Sequence, residues 1–209
     1  MDLTLIRHSR STTNAQNLIS GAGFDAPLSP DGVAYARAVS EVFDEQKFDA
    51  VFASPLQRAL ETAEILTKGK WEIATDPRVE EMHFGQWESQ DPDPLRLQYP
   101  DAFDYMGMLN KNFSQYAHEA ESYDDLVHRV ADFVADLKQD YPDKKVLVVC
   151  HGLTIRGFFA AIFHAEMDSF VNVGNVTVNE VHLDENEGFS PRLYSFNREL
   201  VSADDFFNR

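Results

Sequence analysis

The chain predicts an α/β fold of three layers, helices on both faces of a mainly parallel central sheet, and three observations predict it. Short apolar runs suited to buried strands recur at Met1 to Ile6, Phe48 to Ala53 and Lys145 to Cys150. Segments with helical spacing separate them, an alternation that packs helices against a parallel sheet. Each run then stops in polar residues at its carboxyl end, the edge where open α/β sheets bind ligands.

The bulk properties narrow the possibilities. A chain of 209 residues predicts one domain, spanning 1–209, with one elaboration. Its net charge of −17 excludes nucleic acid and anionic membranes as partners, because both want basic surfaces. Any anion site must therefore be a local basic pocket. No apolar run approaches the ~20 residues of a membrane span. Met1 opens into a strand without the pattern of a signal peptide, and Cys150 is the one cysteine, so a cytoplasmic setting is expected. The partners expected are a small ligand and, as an open alternative, a second copy of the chain.

Taken in order, the first strand runs straight into Arg7 and His8, followed by small hydroxyl residues and Asn14. Residues 15–28, with Gly21, Gly23 and Pro27, read as a loop over the sheet edge. Ser29 caps a helix with Pro30 at its first position and Asp31 complementing the dipole. Its buried stripe is Val33, Ala36, Val39, Val42 and Phe43. The second strand ends at Ser54-Pro55-Leu56-Gln57, which has the form of a capping box, and Arg58 sits in the first turn beyond.

Trp71 to Ala74 reads as a short strand. Residues 76–88 are dense in polar and aromatic groups. Residues 89–120, punctuated by Pro92, Pro94 and Pro100, predict a small helical cap inserted over the carboxyl edge, its aromatics and methionines forming a satellite core. Ser122 caps the next helix and Pro142 ends it. Lys145 to Cys150 is the most apolar strand and so the central one; His151-Gly152 follows, then a helix over Thr154 to Phe163. Two further strands are expected near Thr177–Leu183 and Arg192–Phe196. The acidic tail with Phe206 and Phe207 receives no role.

Arg7, His8, Arg58 and His151 thus all project from the carboxyl ends of strands or the helix turns just after them. At this point the sequence resembles the histidine phosphatase superfamily, also called the phosphoglycerate mutase-like family, from Met1 to about Val178. The residues that carry the resemblance are Leu5-Ile6-Arg7-His8 with Asn14, Ser54-Pro55-Leu56-Gln57-Arg58 with Thr62, and Glu81-Met82-His83-Phe84-Gly85-Gln86-Trp87-Glu88. Glu121-Ser122 and Val149-Cys150-His151-Gly152 complete the set.

The resemblance implies a metal-independent phosphomonoester hydrolase that uses no cofactor and acts on a small phosphorylated metabolite. It makes His8 the nucleophile, carrying the phosphoryl group as a phosphohistidine, with its other ring nitrogen donating to a nearby backbone carbonyl. Arg7, Arg58 and His151 would surround the phosphoryl oxygens. Asn14, Ser20, Gly21 and Gly152 would add phosphate contacts. Glu81 would protonate the leaving group, with a raised pKa, and Glu80 is its rival for that role. Ser9, Arg10 and Ser89 depart from the family pattern of glycine, glutamate (in its mutase-type members) and glycine, and Arg10 is read as pointing outward.

Three other readings stand beside this one. Cys150 to Arg156 matches the Cys-x5-Arg phosphate loop of cysteine-dependent phosphatases, although Leu153 replaces its usual glycine. Within the family, a phosphoglycerate mutase would need to hold a second anionic group. From another class, the chain could bind a phosphate ligand without turning it over.

Overall fold

The computed structural model describes residues 1–207. Six strands form one sheet in the order β3-β2-β4-β1-β5-β6, comprising β1 (Asp2–Arg7), β2 (Ala50–Ala53), β3 (Ala74–Thr75), β4 (Lys145–Cys150), β5 (Val178–Asp184) and β6 (Ser190–Arg198). The pairs β3·β2, β2·β4 and β4·β1 are parallel, whereas β5 runs antiparallel to both β1 and β6. Only β5 therefore opposes the common direction, and the sheet is mainly parallel as its alternating pattern predicts.

β4 is central because it is apolar on both faces. Its pleat sends Val146, Val148 and Cys150 into one core and Leu147 and Val149 into the other. The first core is closed by α5 (Tyr123–Asp140) and α6 (Gly152–Phe163), the second by α2 (Pro30–Ser40) and α3 (Gln57–Leu66). A single turn, α1 (Thr12–Ala15), follows β1 and is closed by a capping box between Ser11 and Asn14.

Several elements depart from the expected bounds. The stripe of α2 is buried at Gly32, Tyr35, Ala36, Val39 and Ser40, while Val42 lies beyond the helix end, exposed. The short strand pairs only at Ala74 and Thr75, where it reaches the last two residues of β2, and not over Trp71 to Ala74. The box over Ser54 to Gln57 does not form: α3 begins with Leu56 as a cap lacking a side-chain bond. Ser54 instead accepts from the Leu56 amide and turns its hydroxyl to His151.

The cap contains less helix than its prolines and apolar spacing predict. It holds the seven-residue α4 (Pro92–Gln98) and two 3-10 turns, Pro100–Ala102 and Lys111–Gln115, joined by loop. Its aromatics split between two uses. Phe113 is fully buried, and Trp87 stacks on Phe103, as a satellite core requires. Met106 and Met108 face a cavity instead. At the other end of the chain, α7 (Ala203–Phe207) gives the tail aromatics their role: Phe206 and Phe207 pack on the Tyr35 ring. Arg10 points away from the sheet edge to lie over Phe207, 5.2 Å from its centroid.

Candidate active site

Strand register assembles the site. Arg7 pairs with Cys150 and Ala53 with Val149, so β1, β2 and β4 stop together. The residues that follow, His8, Ser54 and His151, become neighbours. The His8 amide donates to the Cys150 carbonyl at 2.8 Å, and that of Ser54 donates to Val149 at 3.0 Å, extending the ladder one step past the sheet. The two imidazoles lie 5.0 Å apart between centroids, inclined by 58°. Both are buried.

Each ring is held by one nitrogen. His8 Nδ1 donates to the Ser9 carbonyl at 2.6 Å, which leaves Nε2 without a proton in the neutral ring. The Asn175 amide bonds the His8 carbonyl at 2.8 Å and steadies the backbone from the loop before β5. Burial drives both imidazoles well below the ordinary histidine pKa, and the Arg58 and Arg7 charges push the same way. Both are therefore neutral at physiological pH.

Arg58 reaches inward from the first turn of α3 and is fully buried, its guanidinium held by the Gly21 carbonyl at 2.9 Å and the Phe24 carbonyl at 3.5 Å. Arg7 donates to the Val173 carbonyl at 2.5 Å. Desolvation lowers the pKa of each arginine, and the nearby Glu81 charge opposes it; both stay cationic, since a guanidinium does not deprotonate in proteins. Three buried nitrogens on these residues have no hydrogen-bond partner: Arg7 Nε, Arg58 Nε and His151 Nδ1. Orphaned buried polar groups are costly, and three of them on residues at one sheet edge mark a place suited to an oxyanion.

Glu81 comes in from the loop after β3. Its Oε1 accepts from the Met82 amide at 3.0 Å, the Thr154 amide at 3.2 Å and the Thr154 hydroxyl at 3.1 Å, and its Oε2 from the Leu153 amide at 3.3 Å. The start of α6 is thus occupied by a carboxylate, favourably placed on the helix dipole. Arg129 of α5 fixes the backbone behind it, donating to the carbonyls of Arg78, Glu80 and Glu81 while pairing with Glu121 at 2.6 Å. Glu80 contributes its carbonyl to Thr154 and Arg129 and is not among the residues lining the cavity.

A cavity of about 310 Å³ opens above this edge, lined by Arg7, Asn14, Ser20, Glu81 and Gly152 below and by Phe103 and Met106 of the cap above. Gly152 sits against Arg7, where a Cβ would meet Nε at 3.5 Å. Gly21 does not serve as an amide donor to this space, because its N–H is taken by Glu88 at 3.0 Å. It serves Arg58 through its carbonyl, and the site tolerates no side chain there, since a Cβ would lie 2.3 Å from Glu88 and 2.5 Å from the Met82 carbonyl. Ser9 faces away from the cavity, its hydroxyl bonded to the Gly32 carbonyl at 2.7 Å, so it neither crowds nor contacts a ligand.

The cysteine-phosphatase alternative fails on this geometry. Cys150 is buried in the sheet with its thiol pushed up by burial and by the Glu81 charge, and Arg156 turns to the Met167 carbonyl and Asp168. Sequence reasoning missed Ser54, Thr154, Glu88 and Arg129 as parts of the site. Of these, only Ser54 carried a signal, since it ends a strand on the edge where His8 and His151 stand.

Neutral imidazoles beside unpartnered cationic donors, at the carboxyl edge of a parallel sheet, define a protein that handles an oxyanion. The family model described as histidine phosphatase superfamily (branch 1) matches residues 3–195. The chain belongs to that family. It is 31% identical over 163 residues to the uncharacterized phosphatase PhoE of Bacillus subtilis, covering 76% of this chain and 75% of PhoE. It is 26% identical to the putative phosphoserine phosphatase 2 of Hydrogenobacter thermophilus, covering 87% of this chain and 89% of that one. Among solved structures, mycobacterial hydrolase 2 superposes with a TM-score of 0.83 at 25% identity, covering 98% of this chain and 94% of that one.

Proposed function

We propose that this chain hydrolyses small phosphomonoesters without a metal, through a phosphohistidine on His8. The observation that carries this reading is the anchoring of His8 Nδ1 on the Ser9 carbonyl, which leaves Nε2 without a proton in a ring that stands beside His151 and under the Arg58 and Arg7 charges. Nε2 attacks phosphorus as the bond to the leaving oxygen breaks, and Glu81, which enters this step in its protonated form, supplies the proton that oxygen takes and is left as the carboxylate. Water then gives its proton back to Glu81 and attacks phosphorus. The P–N bond breaks, inorganic phosphate leaves, and His8 is neutral again. Arg7, Arg58 and His151 stabilise the charge on the transferring group.

Hydrolysis is favoured over mutase chemistry by the state of the cap's cation. A mutase must grip a second anionic group, yet Arg96 on the cavity wall is committed to Asp93 and the Gly107 carbonyl. The names of the relatives support a small-molecule phosphate ester, and the single buried cysteine suits a cytoplasmic setting. The test is turnover of a chromogenic aryl phosphate with excess chelator, together with trapping of an acid-labile phosphoenzyme. His8→Ala should abolish both, lowering kcat on the order of 10⁵-fold. Turnover that survives His8→Ala, or that disappears with the chelator, overturns the reading.

A further inference from the structure

His151 raises a question that its burial alone does not answer: which of its nitrogens carries the proton. The ring is neutral and holds one proton. Nε2 lies 2.8 Å from Ser54 Oγ, and Nδ1 is one of the three orphaned nitrogens. If Nε2 held the proton, Nδ1 would present a lone pair to the anion and repel it.

Ser54 decides between these states. Its hydroxyl oxygen already accepts from the Leu56 amide at 3.2 Å. Its own proton has no acceptor among the described residues other than His151 Nε2. An Nε2–H aimed at Ser54 would leave the serine proton without a partner in a fully buried place. A serine proton given to Nε2 satisfies both the hydroxyl and Nε2 and moves the imidazole proton to Nδ1, so that Nδ1–H alone is left open, for the oxyanion to meet.

We infer that Ser54 is a positioning residue that fixes the tautomer of His151, so that Nδ1–H points as a donor at the bound phosphoryl oxygens. This rests on the reading that an oxyanion occupies the edge, and it goes beyond that reading by assigning a role to a side chain that touches no substrate. The Leu56 amide has a part in it. By filling one lone pair of Ser54, it orients the hydroxyl proton toward the ring. The loop after β2 thereby gains a use that an ordinary capping box would have prevented, since a box would have turned Ser54 to the amide of Gln57.

The experiment is nitrogen-15 histidine NMR of the full chain, with vanadate titration, on wild type, Ser54→Ala and Ser54→Thr. A His151→Gln spectrum supplies the assignment. In wild type the His151 Nδ1 should carry the proton and Nε2 should show the shift of an unprotonated nitrogen. Ser54→Ala should move the proton wholly or partly to Nε2 and weaken vanadate binding on the order of tenfold. Ser54→Thr, which keeps the hydroxyl, should restore both, a rescue that a purely structural role for the serine oxygen at the amide would not couple to the ring proton. A wild-type spectrum with the proton on Nε2 overturns the inference, even if Ser54→Ala fails to fold. So does Ser54→Ala that keeps Nδ1–H and wild-type vanadate affinity. A wild type with the expected tautomer and vanadate binding but no ester turnover sinks the hydrolase reading alone.

Discussion

At the strand ends, the floor of the site, His8, Arg58 and His151 are almost wholly buried and are not among the residues lining the cavity, and each is tied by a carbonyl or hydroxyl. On the cap side of the cavity Met106 is 54% exposed, and residues 103–110 are loop. The floor keeps three buried nitrogens without partners among the described residues, whereas the cap's one cation on the wall is already neutralised. A group left unsatisfied in a rigid, dry place is poised for a ligand; one satisfied by its own neighbours is not. On the proposed reading, the difference gives the chemistry to the strand ends and leaves the shape of the leaving group to the cap.

The largest effect that would sharpen this contrast comes from Glu81. Glu81→Gln should lower kcat for an alkyl phosphate by about 10²–10⁴, the usual contribution of a positioned acid. An aryl phosphate, whose leaving oxygen needs little protonation, should lose much less. Equal losses on the two substrates would show that Glu81 acts on something other than the leaving group. The substitution also puts an amide among four donors, so its melting temperature should be measured alongside.

Arg58→Met comes next. Removing one preorganised donor should cost about 10²–10³ in kcat, by analogy with a single oxyanion-hole donor. It also deprives the Gly21 and Phe24 carbonyls of their partner, so the loop from 20 to 24 should loosen and KM should rise with it. A variant that loses only KM would assign Arg58 to ground-state binding and remove it from the transition state.

How much of this was legible in the sequence follows the same division. The strands, their order of burial and the meeting of Arg7, His8, Arg58 and His151 were readable because apolar runs set strand positions and a parallel sheet aligns their ends. The cap was readable only as an insertion. Prolines at 92, 94 and 100 announce breaks, but whether the pieces between them wind as α or 3-10 depends on packing against Trp87 and Phe84, which no local pattern encodes. Ser54 was misread for a related reason: its local sequence fits a capping box, and a histidine 97 residues away competes successfully for the same hydroxyl. Glu88 stands in a sequence motif without a role of its own, and Arg129 goes unseen. Glu88 accepts from the backbone amides of Gly21, Gly23 and Phe84, and Arg129 donates to backbone carbonyls, partners that leave no trace in the sequence.

A third prediction separates the floor from the rest of the protein through stability. The folded-state pKa values of His8 and His151 lie well below that of a free histidine. Below the unfolded value of about 6.5, the unfolded chain therefore binds protons that the folded one refuses, and stability falls as pH falls. From pH 6.5 to 5.5 each imidazole should remove about 1 kcal/mol. Urea unfolding at the two pH values, in wild type and His8→Asn, should show the loss shrinking by that amount in the variant. An unchanged loss would mean that His8 titrates in the folded protein as it does in the unfolded chain, which would contradict its burial beside the Arg7 and Arg58 charges.

The smallest effect lies at the hinge of the cap. Ser89 sits at φ +59°, in the left-handed region that L-residues with a Cβ occupy at a cost and that glycine enters freely. It is exposed, and its amide still donates to the Ile19 carbonyl at 2.9 Å, a bond glycine would keep. Ser89→Gly should therefore stabilise the protein by about 0.5–1 kcal/mol, the strain relieved less the added freedom of the unfolded chain. In a domain of this size that raises the melting temperature by about 1–4 °C. Because the cap supplies no donor to the phosphoryl group in the proposed mechanism, kcat for the aryl phosphate should stay within twofold. A change beyond that would mean that the angle at which the cap leaves residue 89 governs the floor, and the division between the two regions would have to be redrawn as one cooperative unit.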